Sequence, residues 1–496
     1  MHISTLSQSL NLQTSINKMR SEFTTLQQQL SSGVISDSYG GLGTDKNVVL
    51  SLQSQMRNLG SYNDTINLTS LRVKSMADSL TRVSDISSGL RLTGATTEFD
   101  MVSGTQNSGQ LSAGMNLDEL VNLLNLNVED RYLFAGSATQ KKPVELPDAM
   151  LNGDASHAGL TQFVDERRQA DMGANGLGRL DVTSPAADTV TVGEQTGIFG
   201  FKMTGVSSSL ANATVTGPTG TPASMSVQFG ASQPSGGDTI SMDFDLPDGT
   251  TTRVTLTATT DDPPAEGQFT IGASAADTAT NFQAALSASL KTEAATSLRA
   301  ASSVQAANEF FDFDGSHPPQ RVDGPPFDTA TGLRDATSDD TVFWYKGDLT
   351  LEPGANMTAV IDDDRIIKYG AQANQTSLRD TVKAAALLSA VTYDKADPHA
   401  EQAYKDLTSR VSTITAPSGA ETVEGVVTQL GLTASTLKET LDRNDQMQGL
   451  ASGVLGDKMG IDEYEVGAKL TTLRTQLQAS YQVTSMLSQM SLVNFL

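Results

Sequence analysis

The chain has 496 residues, of which 38% are apolar and only 5% aromatic, and its formal net charge is −24 at pH 7. It has no cysteine, which excludes disulfides, thiolate metal ligands and a cysteine nucleophile. A chain of this length exceeds a single core, and its acidic balance disfavours nucleic-acid binding, because a phosphate-binding surface needs a basic stripe.

The N-terminal segment predicts an amphipathic helix over about residues 5–31. Glycine at position 33 offers the left-handed conformation that commonly ends a helix. The segment is almost uncharged, with a net charge of +1 over residues 1–60. Apolar residues recur at spacings of four and three, which places them on one helix face; they are Leu12, Ile16, Met19, Phe23, Leu26 and Leu30.

Two further helices are predicted next, over about residues 45–92 and residues 116–131. The loop before the first of them contains Gly40-Gly41-Leu42-Gly43. This loop lacks the spacing of a phosphate-binding loop and follows no strand. We interpret it as a flexible joint between helices.

The composition changes between residues 143 and 366, where Gly, Pro, Thr and Asp dominate and helical periodicity mostly disappears. Residues 141–365 hold 31 acidic and 13 basic side chains, a net of −18. Alternating apolar residues on both sides of Pro247-Asp248-Gly249 predict a β-hairpin. With a strand at 268–272 and a helix at 276–290, residues 221–312 predict a small α+β module. Residues 181–215 are β-prone but weakly patterned.

Helical patterning returns after residue 367, with helices predicted over about residues 377–391, 400–413, 421–455 and 462–492. The last helix carries a second apolar stripe, formed by Val466, Leu470, Leu473, Leu477 and Tyr481 and, after a phase shift, by Val483, Leu487 and Met490. Neither terminal stripe can be buried by its own helix, so the two are predicted to meet in a coiled-coil seam.

Apolar residues continue to both chain ends, where the ends of monomers usually fray. They are Ile3, Leu6, Leu492, Val493, Phe495 and Leu496. Apolar ends of this kind indicate an interface.

The expected fold class is therefore mainly α, an elongated antiparallel helical bundle or coiled coil formed by both termini, with an inserted β-rich (α+β) middle domain. The predicted divisions are an N-terminal helix, the first part of the bundle, the inserted domain, the return segment with the second part of the bundle, and a C-terminal helix. Their bounds are 1–45, 46–145, 146–325, 326–455 and 456–496.

No catalytic, cofactor or metal site is predicted. The four histidines, His2, His157, His317 and His399, have no metal-ligand spacing. Three consecutive carboxylates at Asp362-Asp363-Asp364 cannot all face one ion, so a solvated turn is predicted there. A nucleophile elbow of the G-x-S-x-G pattern is absent. The cluster around Trp344, the only tryptophan, is interpreted as a core strand at a domain joint, with a carbohydrate or partner contact as the alternative.

Short segments on both sides of the insertion carry a family resemblance. They are Arg131-Tyr132-Leu133-Phe134-Ala135-Gly136-Ser137, Asp340-Thr341-Val342-Phe343-Trp344-Tyr345-Lys346-Gly347-Asp348, Tyr369-Gly370-Ala371-Gln372-Ala373-Asn374, Leu477-Gln478-Ala479-Ser480-Tyr481 and the apolar C-terminus. Together with the helix stop at Ser31-Ser32-Gly33, they resemble the bacterial flagellin superfamily, and most closely its hook–filament junction branch. The resemblance covers residues 1–145 and 325–496. The chain departs from the family's pattern at residues 37–43 and in its long insertion.

The resemblance implies a structural subunit of the bacterial flagellum that joins hook to filament and is needed for filament assembly and motility. Such subunits leave the cell unfolded through the flagellar type III system, so the expected location is extracellular, without a cleaved signal peptide. The absence of cysteine and of a signal-peptide pattern fits this route. No run of about 18 apolar residues occurs, so no membrane span is expected.

The implied partners are further copies in a ring or helical oligomer, a hook-associated protein on the hook side, and a junction protein or flagellin on the filament side. A cytosolic export chaperone is expected on the C-terminal helix, and neither nucleic acid nor membrane is. The terminal helices would line the inner tube of the assembly. The residues expected there are Leu12, Ile16, Met19, Phe23, Leu26 and Leu30 against Leu470, Leu473, Leu477, Tyr481, Leu487 and Met490.

Three alternatives remain open from the sequence. The long insertion is compatible with flagellin, the filament subunit itself. The β-rich module alternatively belongs to an adhesin-like surface protein that binds glycans, or contains an enzyme whose catalytic residues meet only in space. A pocket with perturbed carboxylates would favour the enzyme.

Overall fold

The computed structural model describes residues 2–96, 99–349, 357–417 and 421–493. The fold is mainly α, with 53% helix and 18% strand, and the strands are concentrated in a region inserted between helical segments. The helices are α1 (His2–Ser32), α2 (Lys46–Thr96), α3 (Ser108–Leu124), α4 (Pro147–Asn152), α5 (Leu160–Met172), α6 (Ala275–Glu293), α7 (Arg299–Phe311), α8 (Thr376–Ala390), α9 (Ala400–Ile414), α10 (Val423–Met459) and α11 (Glu463–Val493).

Of the strands in the described residues, half lie between α5 and α6. The strands are β1 (Met101–Ser103), β2 (Gln106–Asn107), β3 (Asn127–Val128), β4 (Arg131–Tyr132), β5 (Leu180–Ala186), β6 (Thr189–Glu194), β7 (Lys202–Ser208), β8 (Ala213–Thr219), β9 (Ser224–Phe229), β10 (Thr239–Asp245), β11 (Thr251–Thr259), β12 (Gln268–Thr270), β13 (Gln320–Val322), β14 (Leu333–Asp335), β15 (Thr358–Asp362) and β16 (Arg365–Lys368).

The chain forms two compact units. The first contains residues 1–70, 359–366 and 435–496, and the second contains residues 71–358 and 367–434. The first unit holds the terminal helices α1 and α11 and the tip of the β15–β16 hairpin. The second unit holds the β-rich region and the helices from α3 to α9. The division into five segments predicted from the sequence stays a prediction.

The long helices were predicted correctly in type and position. Helix α1 ends at Gly33, whose φ of +72° is the left-handed conformation that glycine adopts without strain. Helix α2 extends over 51 residues, and α8 to α11 lie where the sequence predicted them. Apolar periodicity of 3.6 residues was therefore a sufficient signal for these elements.

The third predicted helix was placed too late in the sequence. Helix α3 starts at Ser108, because the Asn107 side chain and Gln110 form a reciprocal capping box at its N-terminus. It ends at Leu124, and Val128, predicted to be helical, lies in β3. The turn between β3 and β4 holds Glu129 and Asp130 at positive φ, which stops the helical pattern early.

The inserted region folds around one apolar core, which we call the β-rich module (residues 177–298). One sheet has the order β5-β6-β9-β8 and is antiparallel throughout. The other has the order β12-β11-β10-β7, with β11 and β12 parallel. Inward residues of both sheets and of α6 form the core, with Phe244, Phe269 and Phe282 fully buried. The predicted β10–β11 hairpin is confirmed, with Gly249 at a φ of +78° in its turn.

The sequence interpretation missed several elements of the insertion. Helices α4 and α5 lie in a region where helical periodicity was judged absent. Residues 304–311, interpreted as a mixed segment, belong to α7, which continues α6 through a π-helical segment at Ala294–Leu298. Residues 181–215, predicted to be β-prone but weakly patterned, fold into β5, β6, β7 and the start of β8. The exposed positions of β7 and β8 are Thr and Ser, which contrast little with the inward residues.

Candidate assembly surface

The two terminal helices lie side by side and antiparallel within the first unit. At one end of the pair, the Ile461 N–H donates to the Gly33 carbonyl (3.2 Å) and the Ile35 N–H to the Met459 carbonyl (2.7 Å). Towards the other end, the Arg20 guanidinium lies 5.6 Å from the ring centroid of Tyr481. The sequence therefore predicted correctly that the two ends of the chain meet.

The N-terminal stripe is only partly covered by this pairing. Ile16 is the one member of the predicted set on α1 that is buried. Leu12, Met19, Phe23 and Leu26 are half-buried. Leu30 is 43% exposed. A single chain thus leaves much of this face open to water.

The C-terminal stripe shows a gradient along α11. Val466, Leu473 and Leu477 are buried and Leu470 is half-buried. Further along, exposure rises, with Tyr481 and Leu487 at 43% and 50%. The side chains of Met490, Ile3, Leu6, Leu492 and Val493 lie outside the described residues, as do Phe495 and Leu496 altogether.

Other exposed apolar side chains extend this surface. Leu10 on α1 and Met486 on α11 are more than half exposed, and Val483 nearly so. The sequence singled out Val483 but not Leu10 or Met486. Both residues lie outside the strict four–three spacing. Their apolar side chains next to the stripe are the feature of the sequence that could have indicated them.

Charges along the helix pair are few and complementary. Lys469 on α11 lies 2.6 Å from Glu465 one turn earlier. The pKa of Lys469 is raised by the hydrogen bond to Glu465, then by the Glu465 charge, and also by Glu22 on α1. These groups are solvated, so their contribution to pairing is small.

Three of the motif segments that carry the family resemblance meet in the second unit, although up to 240 residues separate them. The Asp348 N–H donates to the Ala135 carbonyl, and the Ala373 N–H donates to the Phe134 carbonyl, both at 3.0 Å. Ser137 donates to the Asp348 carboxylate. We call this meeting of residues 131–137, 340–348 and 369–374 the motif junction.

Close packing at the motif junction depends on one glycine. Gly136 has a φ of +63°, and a Cβ at this position would lie 2.1 Å from Gln372 Nε2 and 2.9 Å from Asp348 Cβ. Glycine is thus required here both for backbone conformation and for space.

The aromatic cluster at Trp344 is part of the core, as predicted, but it does not form the predicted strand, because Tyr345 makes only an isolated bridge to Val144. Trp344 and Tyr345 are almost completely buried. The Trp344 Nε1–H donates to the Phe311 carbonyl at the end of α7 (3.0 Å), and the rings of Trp344 and Phe311 are in tilted contact with centroids 5.3 Å apart. A buried ring of this kind does not offer a carbohydrate-binding surface.

The other polar motifs are engaged in structural contacts. Asp362 pairs with Arg443 (2.5 Å) and Asp363 accepts a hydrogen bond from Tyr62 (2.8 Å). Asp363 and Asp364 are exposed in a turn, as predicted. The rings of His157 and His317 each pair with an aspartate three residues earlier. Within the described ranges, no group of three or more His, Asp or Glu side chains is arranged to hold a metal ion.

Two larger cavities, of about 600 and 500 Å³, lie beside α5 and α6. Glu309, a buried carboxyl group whose pKa burial raises to about 7, lines neither of them. Over the part of the chain that is described, no helix combines the length and apolarity needed to cross a membrane.

The chain matches no known family model, and no curated protein matches its sequence.

Proposed function

We propose that the chain is a structural, self-assembling subunit of the bacterial flagellum, placed at the junction between hook and filament. The observation that carries this proposal is the antiparallel pair of terminal helices, whose apolar faces stay partly exposed when only one chain is present. In this proposal the exposed faces of α1 and α11 pack against neighbouring copies and line an inner tube. We take the pair to be a coiled coil that is completed by assembly.

The energetics of the helix pair support assembly. Of the stripe residues whose side chains the structure describes, Ile16, Val466, Leu473 and Leu477 are buried, and full burial of such a side chain contributes about 1.5–3 kcal/mol. Burial of the remaining apolar residues between subunits adds the stabilisation that one chain lacks.

The motif junction supports the family assignment within the proposal. Segments that resemble the flagellin superfamily flank the insertion, and they make direct backbone hydrogen bonds with one another. The insertion lies between these segments in the sequence, so the β-rich module would be an addition to a helical framework shared with that superfamily. Export by the flagellar type III route, a chaperone on α11 and an extracellular location belong to the same proposal. In it the chain has no enzymatic activity.

The test is electron microscopy of a strain from which this gene is deleted. The proposal predicts hooks without filaments, together with flagellin secreted into the medium, and recovery of filaments on complementation. Filaments that persist or merely shorten after deletion would identify the chain as a filament subunit instead.

A further inference from the structure

Helices α5 and α7 carry the chain into and out of the β-rich module. They pack against each other through Phe163 and Phe310, whose ring centroids are 5.1 Å apart in an edge-to-face arrangement. We call this contact between Leu160–Met172 and Arg299–Phe311 the neck. A change that weakens the neck therefore loosens the packing between the two helices that connect the module to the rest of the chain.

One guanidinium group in the neck faces two carboxylates. Arg167 Nε lies 2.8 Å from Asp171 Oδ2, and another nitrogen of the same side chain donates to Glu309 of α7. The three side chains are only 4%, 0% and 6% exposed. The Phe199 ring covers the guanidinium at 4.9 Å. The cluster therefore holds one positive and up to two negative charges away from water.

The two carboxylates differ in the number of hydrogen-bond donors and positive charges that surround them. Asp171 also accepts the Gly200 N–H (2.8 Å), and it lies near the positive charges of Arg179 and Lys202. Glu309 has the Arg167 donor and the neutral Gln305 amide (3.2 Å). The negative charge of Asp171 is thus better stabilised than that of Glu309. A proton that neutralises the excess negative charge of the cluster would therefore bind to Glu309.

Charged groups on β13 and α8, which also pack against the neck, have partners of their own. On α5, Glu166 pairs with Arg321 of β13. On the far side of α7, Lys383 of α8 lies 3.0 Å from Asp312. These pairs are occupied and do not supply a second cation to Glu309.

We propose that the neck is a proton-linked joint, in which Glu309 holds a proton while α5 and α7 are packed together and loses it above neutral pH, loosening the attachment of the β-rich module. Burial is the largest cause that raises the pKa of Glu309, from 4.5 to about 7, and the Arg167 charge opposes it. The folded state therefore binds more protons than the unfolded state between these two pH values. Stability from this group is complete below pH 4.5 and is lost as the pH rises through 7.

The test compares the full-length chain with Glu309→Gln, and with Glu166→Gln as a matched control, because Glu166 is an equally buried glutamate on the facing helix α5. Urea unfolding is followed from pH 5 to 7.5 by the fluorescence of Trp344, which contacts the end of α7. Relative to Glu309→Gln, the unfolding constant of the wild-type chain should rise about 50-fold over this range. Glu166→Gln should lower stability at each pH and keep the wild-type pH dependence. The proposal would be overturned if the unfolding constants of the wild-type chain and Glu309→Gln had the same pH dependence. It would also be overturned if Glu166→Gln lost the pH dependence of the wild-type chain.

A second measurement needs no variant and covers the case in which Glu309→Gln does not fold. Amide hydrogen exchange of the wild-type chain is recorded from pH 6 to 8 and corrected for the intrinsic pH dependence of exchange. Protection in α5 and α7 should fall more than protection in α3. An equal fall in the three helices, or no fall, would overturn the proposal.

Discussion

Arg20 on α1 places its guanidinium 5.6 Å from the ring centroid of Tyr481 on α11, a contact between the two ends of the sequence. With the hydrogen bond from Ile461 to Gly33, it defines the antiparallel register of the terminal helices. Because the two contacts lie at separate points along the pair, a shift in register would break both.

The contact between Arg20 and Tyr481 should be measurable as a coupling energy. Arg20→Ala and Tyr481→Ala, alone and together, form a double-mutant cycle read by hydrogen exchange of α1 amides. A cation–π contact at a partly exposed site predicts about 0.5–1 kcal/mol of coupling. Lys18→Ala serves as control, because Lys18 is also an exposed cation on α1. Equal coupling of Lys18 and Arg20 to Tyr481 would contradict the described register.

Gly136 should be intolerant of a methyl group. Gly136→Ala combines backbone strain at positive φ, about 1 kcal/mol or more, with a clash against Gln372. Gly104→Ala is the matched control, since Gly104 also has positive φ (+57°) but its added Cβ would meet nothing within 4 Å. Urea unfolding should show Gly136→Ala to be the more destabilised by at least about 1 kcal/mol. Equal losses would mean that the motif junction is not tightly packed.

Substitution of two neighbouring buried aromatic residues should lower the free energy of unfolding by different amounts. Trp344→Phe leaves the Phe311 carbonyl without its 3.0 Å donor and opens a void, so a loss of about 2–4 kcal/mol is expected. Tyr345→Phe removes only a 3.5 Å contact between its hydroxyl and the Asp348 carbonyl, and should cost below about 1.5 kcal/mol. Thermal or urea unfolding followed by circular dichroism compares them. A greater loss for Tyr345→Phe would refute this ranking.

The sequence predicted the helical framework well because long amphipathic helices repeat one signal over many turns. The apolar stripes on α1 and α11 also predicted that these two helices pair with each other, because neither helix could bury its stripe alone. Short elements were harder. Helix α5 was missed because buried Glu166, Arg167 and Asp171 interrupt its apolar pattern. Their burial is tolerable because each has a tertiary partner, which is Arg321 on β13, Glu309 on α7 and the Gly200 N–H, respectively.

The boundaries of α3 were missed for a different reason. A capping box at Asn107 and a left-handed turn at Glu129 outweighed apolar periodicity in setting the ends of α3. The neck contact between Arg167 and Glu309 joins residues 142 positions apart, and no local spacing indicates it. Contacts of this kind depend on tertiary structure, whereas the terminal stripes are a local property of the sequence.

The measurement that tests the proposed assembly surface most directly is complementation of the deletion strain with Leu477→Asp. Leu477 is buried in the α1–α11 pair, whereas its neighbour Gln478 is exposed, so Gln478→Asp adds the same charge outside the seam. Filaments per hook are counted by electron microscopy, and urea unfolding monitored by Trp344 checks that the second unit is intact. We predict that Leu477→Asp restores no filaments while Gln478→Asp restores them. Normal filament numbers with Leu477→Asp would contradict the assignment of the terminal helices as the assembly surface.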